Sequence, residues 1–220
     1  MNLKNHGVAR YCGVCLLYFH TLVAHAAQFS TLSANGEIAV KSWKSLRDAN
    51  IVKQNFDYSC GAASLATVLN KFYGLQLTER QILSDMRKPD LMANFEDMAR
   101  VSDFYGFNAG GIALNYEQLT KLTVPVVVYL RHHREDHFSV LRGISNTHVQ
   151  LADPSWGNRI FSKQQFLKMW ETRNDEKLKG KILLVLPKPP QAVIQHKDFF
   201  RPPTPNALGV ESLVTTRNTF

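Results

Sequence analysis

A chain of 220 residues, 45% hydrophobic and 20% charged, suits one ordinary globular domain with appendages. Its net charge of +8 fits contact with anionic surfaces or acidic substrates. No Lys/Arg cluster carries interleaved aromatics, so nucleic-acid binding has no support.

The N-terminus reads as an export signal. Lys4 and Arg10 precede the apolar run Cys12–Ala24, and Ala24-His25-Ala26 fits an A-x-A cleavage site, which defines a signal peptide over residues 1–26. The run of 13 residues is short against the roughly 20 that a membrane span needs. Cleavage removes Cys12 and Cys15, leaves Cys60 as the sole cysteine and lowers the net charge to +6. A periplasmic or secreted protein with one cysteine has no internal disulfide, and an unused thiol there is a liability.

Residues 27–44 read as a lead-in, with a strand at 37–43 and a charged connector through Lys44–Asn50. From Cys60, apolar residues recur at Ala62, Leu65, Ala66, Leu69 and Tyr73, the spacing of a helix burying one face, with Gly74 as its stop. Thr78-Glu-Arg-Gln81 has capping-box spacing and opens a helix through Met86, which Pro89 closes. Asn94 caps a third helix over 95–105, whose inner face carries Phe95, Met98, Ala99 and Val101 or Ser102. A strand over 107–114 and a short helix over 116–121, capped by Asn115, follow.

The periodicity then switches to two. Strands are expected at 124–130, 137–144, 147–153 and 158–161, with a Ser145-Asn146 turn and a second turn at Asp153–Gly157. Ser162-Lys-Gln-Gln165 opens a helix through Trp170, and 181–186 is a final strand. Helices followed by antiparallel strands make an α+β domain over residues 45–187, the helices packed on one sheet. Six prolines between Pro187 and Pro205 mark residues 188–220 as a disordered tail, in which Phe199-Phe200 and Leu208–Val214 are apolar enough to dock.

Cys60 stands at a helix start, where unpaired backbone N–H groups and the positive end of the dipole favour a thiolate. Gly61 and Ala62 beside it add little bulk. The plainer alternative is a small buried residue. His137 begins an apolar strand, so its ring can turn inward with Ser139 and Leu141. Counted outward from the Ser145-Asn146 turn, His137 and Asp153 fall near one another at the open end of the hairpin. His132 and His133 sit in a charged connector, Arg131–Asp136, expected as an exposed turn. Together with His137 they lack His-Glu-x-x-His spacing on a helix, which argues against a metal hydrolase and for no metal or other cofactor.

A thiolate that attacks a carbonyl, an imidazolium that protonates the leaving amine and a carboxylate that orients the ring form one working set. Gln54, on the extended approach to Cys60, can add an amide donor for the oxyanion beside the Cys60 backbone N–H.

Gln54-x5-Cys60-Gly-Ala-Ala, then His137-Phe-Ser-Val-Leu, then Asp153-Pro-Ser-Trp-Gly157, in that order, resembles the papain-like peptidases that process bacteriocin leaders after a double-glycine motif. The resemblance covers residues 45–187. It implies a papain-like fold, with Cys60 as nucleophile, His137 as acid/base, Asp153 as its orienting partner and Gln54 as oxyanion donor. Well-known members are fused to an ABC transporter, whereas this chain has neither membrane helices nor a P-loop and carries an export signal. It is therefore similar to the stand-alone exported relatives, those of functional-amyloid secretion systems among them. The expected activity is hydrolysis after small residues such as Gly-Gly in a co-exported protein. The alternatives are a silent module binding an extended segment of a secretion or amyloid partner, and the same thiol chemistry on peptidoglycan amides or in acyl transfer.

Overall fold

In a computed structural model of the chain, residues 26–30, 35–39, 41–87, 92–132, 135–190 and 193–203 are described. The chain divides into two units, Met1–Lys41 and Ser42–Phe220. In the first, β1 (Ala26–Ser30) and β2 (Asn35–Ala39) pair antiparallel as a hairpin. The signal-peptide reading otherwise lies outside the described residues. The strand expected at 37–43 ends at Ala39; helix α1 (Trp43–Arg47) begins where the Ser42 side chain accepts from Ser45 N at 3.1 Å. A capped turn competes there with strand pairing and wins.

The second unit holds α2 (Cys60–Lys71), α3 (Glu79–Met86), α4 (Phe95–Phe104), β3 (Phe107–Leu114) and α5 (Tyr116–Leu119), followed by β4 (Val126–His132), β5 (Glu135–Ile144), β6 (His148–Asp153), β7 (Gly157–Ser162), α6 (Lys163–Trp170) and β8 (Gly180–Pro187). Thr78, Asn94, Asn115 and Ser162 each close a capping box with the residue three further on, so four helix starts are set by local chemistry. Gly74 takes φ +78° just past α2, and α5 is shorter than expected.

The strands form one antiparallel sheet in the order β3-β8-β4-β5-β6-β7. Period-two alternation sends neighbouring side chains to opposite faces. Val127, Val140, Ala152, Leu183 and Val185 pack in a core with α2, α3 and α4, while Val126, Val128, Leu130, Leu141 and Ile182 pack with α5 and α6. The α+β layout thus stands, with helices over both faces of the sheet.

Helix α2 is enclosed by this packing, Cys60 to Leu69 being buried without interruption. Thr67 and Val68 are poor helix formers and Gly61 is worse, so propensity does not hold it. Side chains such as Leu65 and Leu69, each contributing about 1.5–3 kcal/mol on full burial, do.

Two expectations need correction. His132 is not in a loop: it ends β4 opposite Glu135, because strand pairing extends into the charged run. His133 lies outside the described residues. The tail is ordered over 193–203, where His196 N donates to Phe72 O at 2.8 Å and Arg201 N to Arg142 O at 2.9 Å. Phe199 is buried there under the Arg142 guanidinium, 5.1 Å from its ring centre. Apolar burial and backbone pairing outweigh the extended bias of the prolines. Residues 204–220, with Leu208–Val214, lie outside the described residues.

Candidate active site

Cys60 is the first residue of α2, and its N-cap Ser59 makes no side-chain capping bond. As at any helix start, the first N–H groups have no intrahelical acceptor, and the Ser59 side chain takes up none of them. The thiol is free of any disulfide and has no exposed surface.

His137 sits on β5 and Asp153 at the end of β6. The register pairs Val140 with Ala152, which brings the two side chains to the same end of the hairpin. Asp153 Oδ2 is 2.8 Å from His137 Nε2. The other carboxylate oxygen accepts from the backbone of Ser155 at 2.9 Å and Trp156 at 2.8 Å. Both oxygens of this buried carboxylate are thus occupied, so it cannot rotate away from the ring.

With Nε2 on Asp153, Nδ1 is the ring nitrogen left for Cys60, whose side chain lies close enough to favour the charged imidazole. Burial works against the ring's positive charge. Hydrogen bonds to Asp153 and Cys60, with the negative charge of both partners, outweigh it and raise the His137 pKa to about 10. The ring is therefore held as an imidazolium at neutral pH.

Trp156 stacks on His137 with centroids 5.2 Å apart and planes 28° from parallel, and His132 meets the same indole edge-on. The indole shields the His137–Asp153 hydrogen bond from water. Gly157, at φ +87°, lets the turn close; a Cβ there would come within 2.6 Å of Arg47.

Gln54 and His137 line one cavity of about 510 Å³, together with Trp156, His132, Met92 and the carboxylates of Asp57, Glu135 and Asp136. Gln54 is fastened to the Asp153 turn: its N–H donates to Pro154 O at 3.2 Å, and Lys53 Nζ beside it donates to Ser155 O at 2.6 Å. The Gln54 Nε2 donates to Phe56 O at 3.0 Å, while its Oε1 is buried without a hydrogen-bond partner.

All four residues singled out in the sequence thus lie on three adjoining segments: the approach to α2 with its first residue, the start of β5 and the end of β6. The sequence reading missed Trp156 as a cover and Glu79, which accepts from Asn55 and Ser59, the residues just inside the two ends of the Gln54–Cys60 stretch. The aromatic in Asp-Pro-Ser-Trp-Gly was a usable signal for the first. Glu79 was visible only as part of a capping sequence.

Residues 48–174 match the peptidase C39 family. A probable functional amyloid protease, FapD, of Pseudomonas aeruginosa is 32% identical over 70% of this chain and 73% of its own length. Its counterpart in Pseudomonas fluorescens is 31% identical over 73% of the chain and 76% of its own length. Among solved structures, a double glycine motif protease from an AMS/PCAT transporter, in complex with the leader peptide, has a TM-score of 0.52 at 25% identity, covering 63% of this chain and 91% of its own. The peptidase domain of Streptococcus ComA, a bi-functional ABC transporter, has a TM-score of 0.53 at 21% identity, covering 63% and 98%. The papain-like fold read from the sequence is therefore the observed one.

Proposed function

The chain belongs to the peptidase C39 family and is a cysteine peptidase, and we propose that it is exported and cuts after small residues, Gly-Gly in particular, in a co-exported protein. The observation that carries this reading is the His137–Asp153 hydrogen bond with Cys60 beside the ring at the N-terminus of α2, next to a cavity lined by Gln54 and His137.

Cys60, as thiolate, attacks the scissile carbonyl carbon, and the C=O electron pair moves onto oxygen. Gln54 Nε2 and the Cys60 backbone N–H donate to that oxyanion, Gln54 giving up its bond to Phe56 O as it does so. The intermediate collapses as His137 protonates the leaving amine, which forms a thioester. Water, deprotonated by His137, then attacks the thioester and frees Cys60. Asp153 and Trp156 keep the ring in the required tautomer and orientation.

The Gly-Gly preference is supported by the double glycine motif protease of similar structure. A functional-amyloid protein as partner is supported by the FapD relatives, and export by the N-terminal layout of the sequence. Among the described residues no helix is long and apolar enough to cross a membrane.

The test is hydrolysis of a fluorogenic peptide ending in Gly-Gly by the purified mature protein. Cys60→Ala and His137→Ala should abolish turnover with the fold retained by circular dichroism. Near-normal rates in either folded variant would sink the assignment.

A further inference from the structure

One buried carboxylate has no place in that mechanism. Glu79 is the first residue of α3, 3% exposed, and its side chain faces the approach to Cys60 instead of solvent. Its Oε1 accepts from Asn55 N at 2.8 Å and is hydrogen-bonded by Ser59 Oγ, and its Oε2 accepts from Asn55 Nδ2. Asn55 directly follows Gln54, and Ser59 directly precedes Cys60. One carboxylate therefore grips the chain immediately beside both oxyanion donors.

Other bonds lie within the loop. Ser59 N donates to Phe56 O at 3.1 Å and Phe56 N to Ser59 Oγ at 3.2 Å. They close the turn on itself. Where Ser59 O already joins the turn to α2 by accepting from Ala63 N at 3.0 Å, Glu79 ties it to a second helix, α3, which is anchored by Ile82 and Met86 in the core. A charged acceptor on a rigid element holds a turn far better than neutral bonds within the turn.

We infer that Glu79 is a positioning residue for the oxyanion hole, setting the distance between the Gln54 amide and the Cys60 backbone N–H. The inference rests on the peptidase reading above. An oxyanion exists only after attack, so this role belongs to kcat and leaves KM alone. Losing one such donor costs roughly 10²–10³-fold, and a misplacement of about 1 Å costs about 10²-fold.

Three probes of the full mature chain separate the role from mere stability. They are the fluorogenic Gly-Gly peptide, a peptide aldehyde ending in glycinal, and iodoacetamide. The aldehyde forms a hemithioacetal whose oxygen occupies the oxyanion hole. Alkylation displaces iodide from carbon, develops no oxyanion, and reports only the Cys60–His137 pair.

In Glu79→Gln, kcat should fall about 10²-fold with KM within about 3-fold, and aldehyde affinity should fall by a similar factor, while alkylation stays within about 3-fold of wild type. Asn55→Ala, at an exposed position, should reproduce part of the loss. The double variant should be no worse than Glu79→Gln alone. Wild-type kcat in Glu79→Gln, additive losses in the double variant, or alkylation falling together with kcat would each overturn the positioning role. A wild type that neither alkylates at neutral pH nor hydrolyses the peptide would instead overturn the peptidase reading itself. A wild type that alkylates quickly yet leaves the peptide intact would remove the small-residue preference, and the aldehyde comparison would then decide the role of Glu79.

Discussion

At the scale of single residues the His137 imidazole carries the pH behaviour. Its pKa of about 10 lies above the ordinary value of 6.5, so the folded protein holds a proton that the unfolded chain releases. The resulting stabilisation is complete below pH 6.5 and is lost as pH rises through about 10. The denaturant midpoint should fall across that window in the wild type and stay flat in His137→Ala. The alkaline limb of kcat/KM should likewise lie near pH 10, since loss of the imidazolium removes the acid. Asp153→Asn withdraws a negative charge from the ring, so that limb should move to lower pH. Its kcat should drop by on the order of 10²-fold or more while alkylation of Cys60 remains measurable. An unmoved limb in Asp153→Asn would separate the carboxylate from the mechanism.

At the scale of elements, α2 and the β5–β6 hairpin are held by different means. Helix α2 is fixed by burial on all sides, and Ser64 Oγ ties it to Phe138 O, beside His137, at 3.2 Å. The hairpin is fixed by register, and the start of β8, an interior strand, depends on one close approach. A Cβ at Gly180 would come within 2.2 Å of the Trp170 ring, which is fully buried and donates its Nε1–H to Lys181 O at 3.0 Å. Backbone and a packed indole leave no room to yield. Gly180→Ala should cost about 3 kcal/mol in urea denaturation, the upper part of the usual overpacking range. Trp170 belongs to the core opposite the one that includes Cys60, so kcat/KM of the folded variant should match wild type.

At the scale of the whole molecule, the C-terminal segment closes over the core. Phe199 packs with Phe72 and Tyr73 in the core that contains α2, and backbone bonds at His196 and Arg201 attach the segment to the end of α2 and to β5. Phe199→Ala should lose about 3 kcal/mol, a modest figure for a phenylalanine because the residue lies at the rim of the core. Loss below about 1 kcal/mol would mean that the segment contributes contact without stability. Its extended bias was legible from Pro202 and Pro203, but its docking was not. That depends on a receiving surface built from α2 and β5, which are far away in sequence.

From α2 to β8 the sequence by itself determined the order and type of the elements, because capping pairs such as Ser162 with Gln165 and β-branched runs such as Val126–Leu130 act within a few residues. It also determined which chemical groups were available, since Gln54, Cys60, His137 and Asp153 stand in recognisable local settings. Only the tertiary structure decided which groups meet across the chain: Glu79 with Asn55 and Ser59, Trp156 over His137, and Lys53 with the Asp153 turn. Those meetings depend on strand register and on how helices seat against the sheet. Both are set by the summed burial of many side chains, which no local pattern encodes.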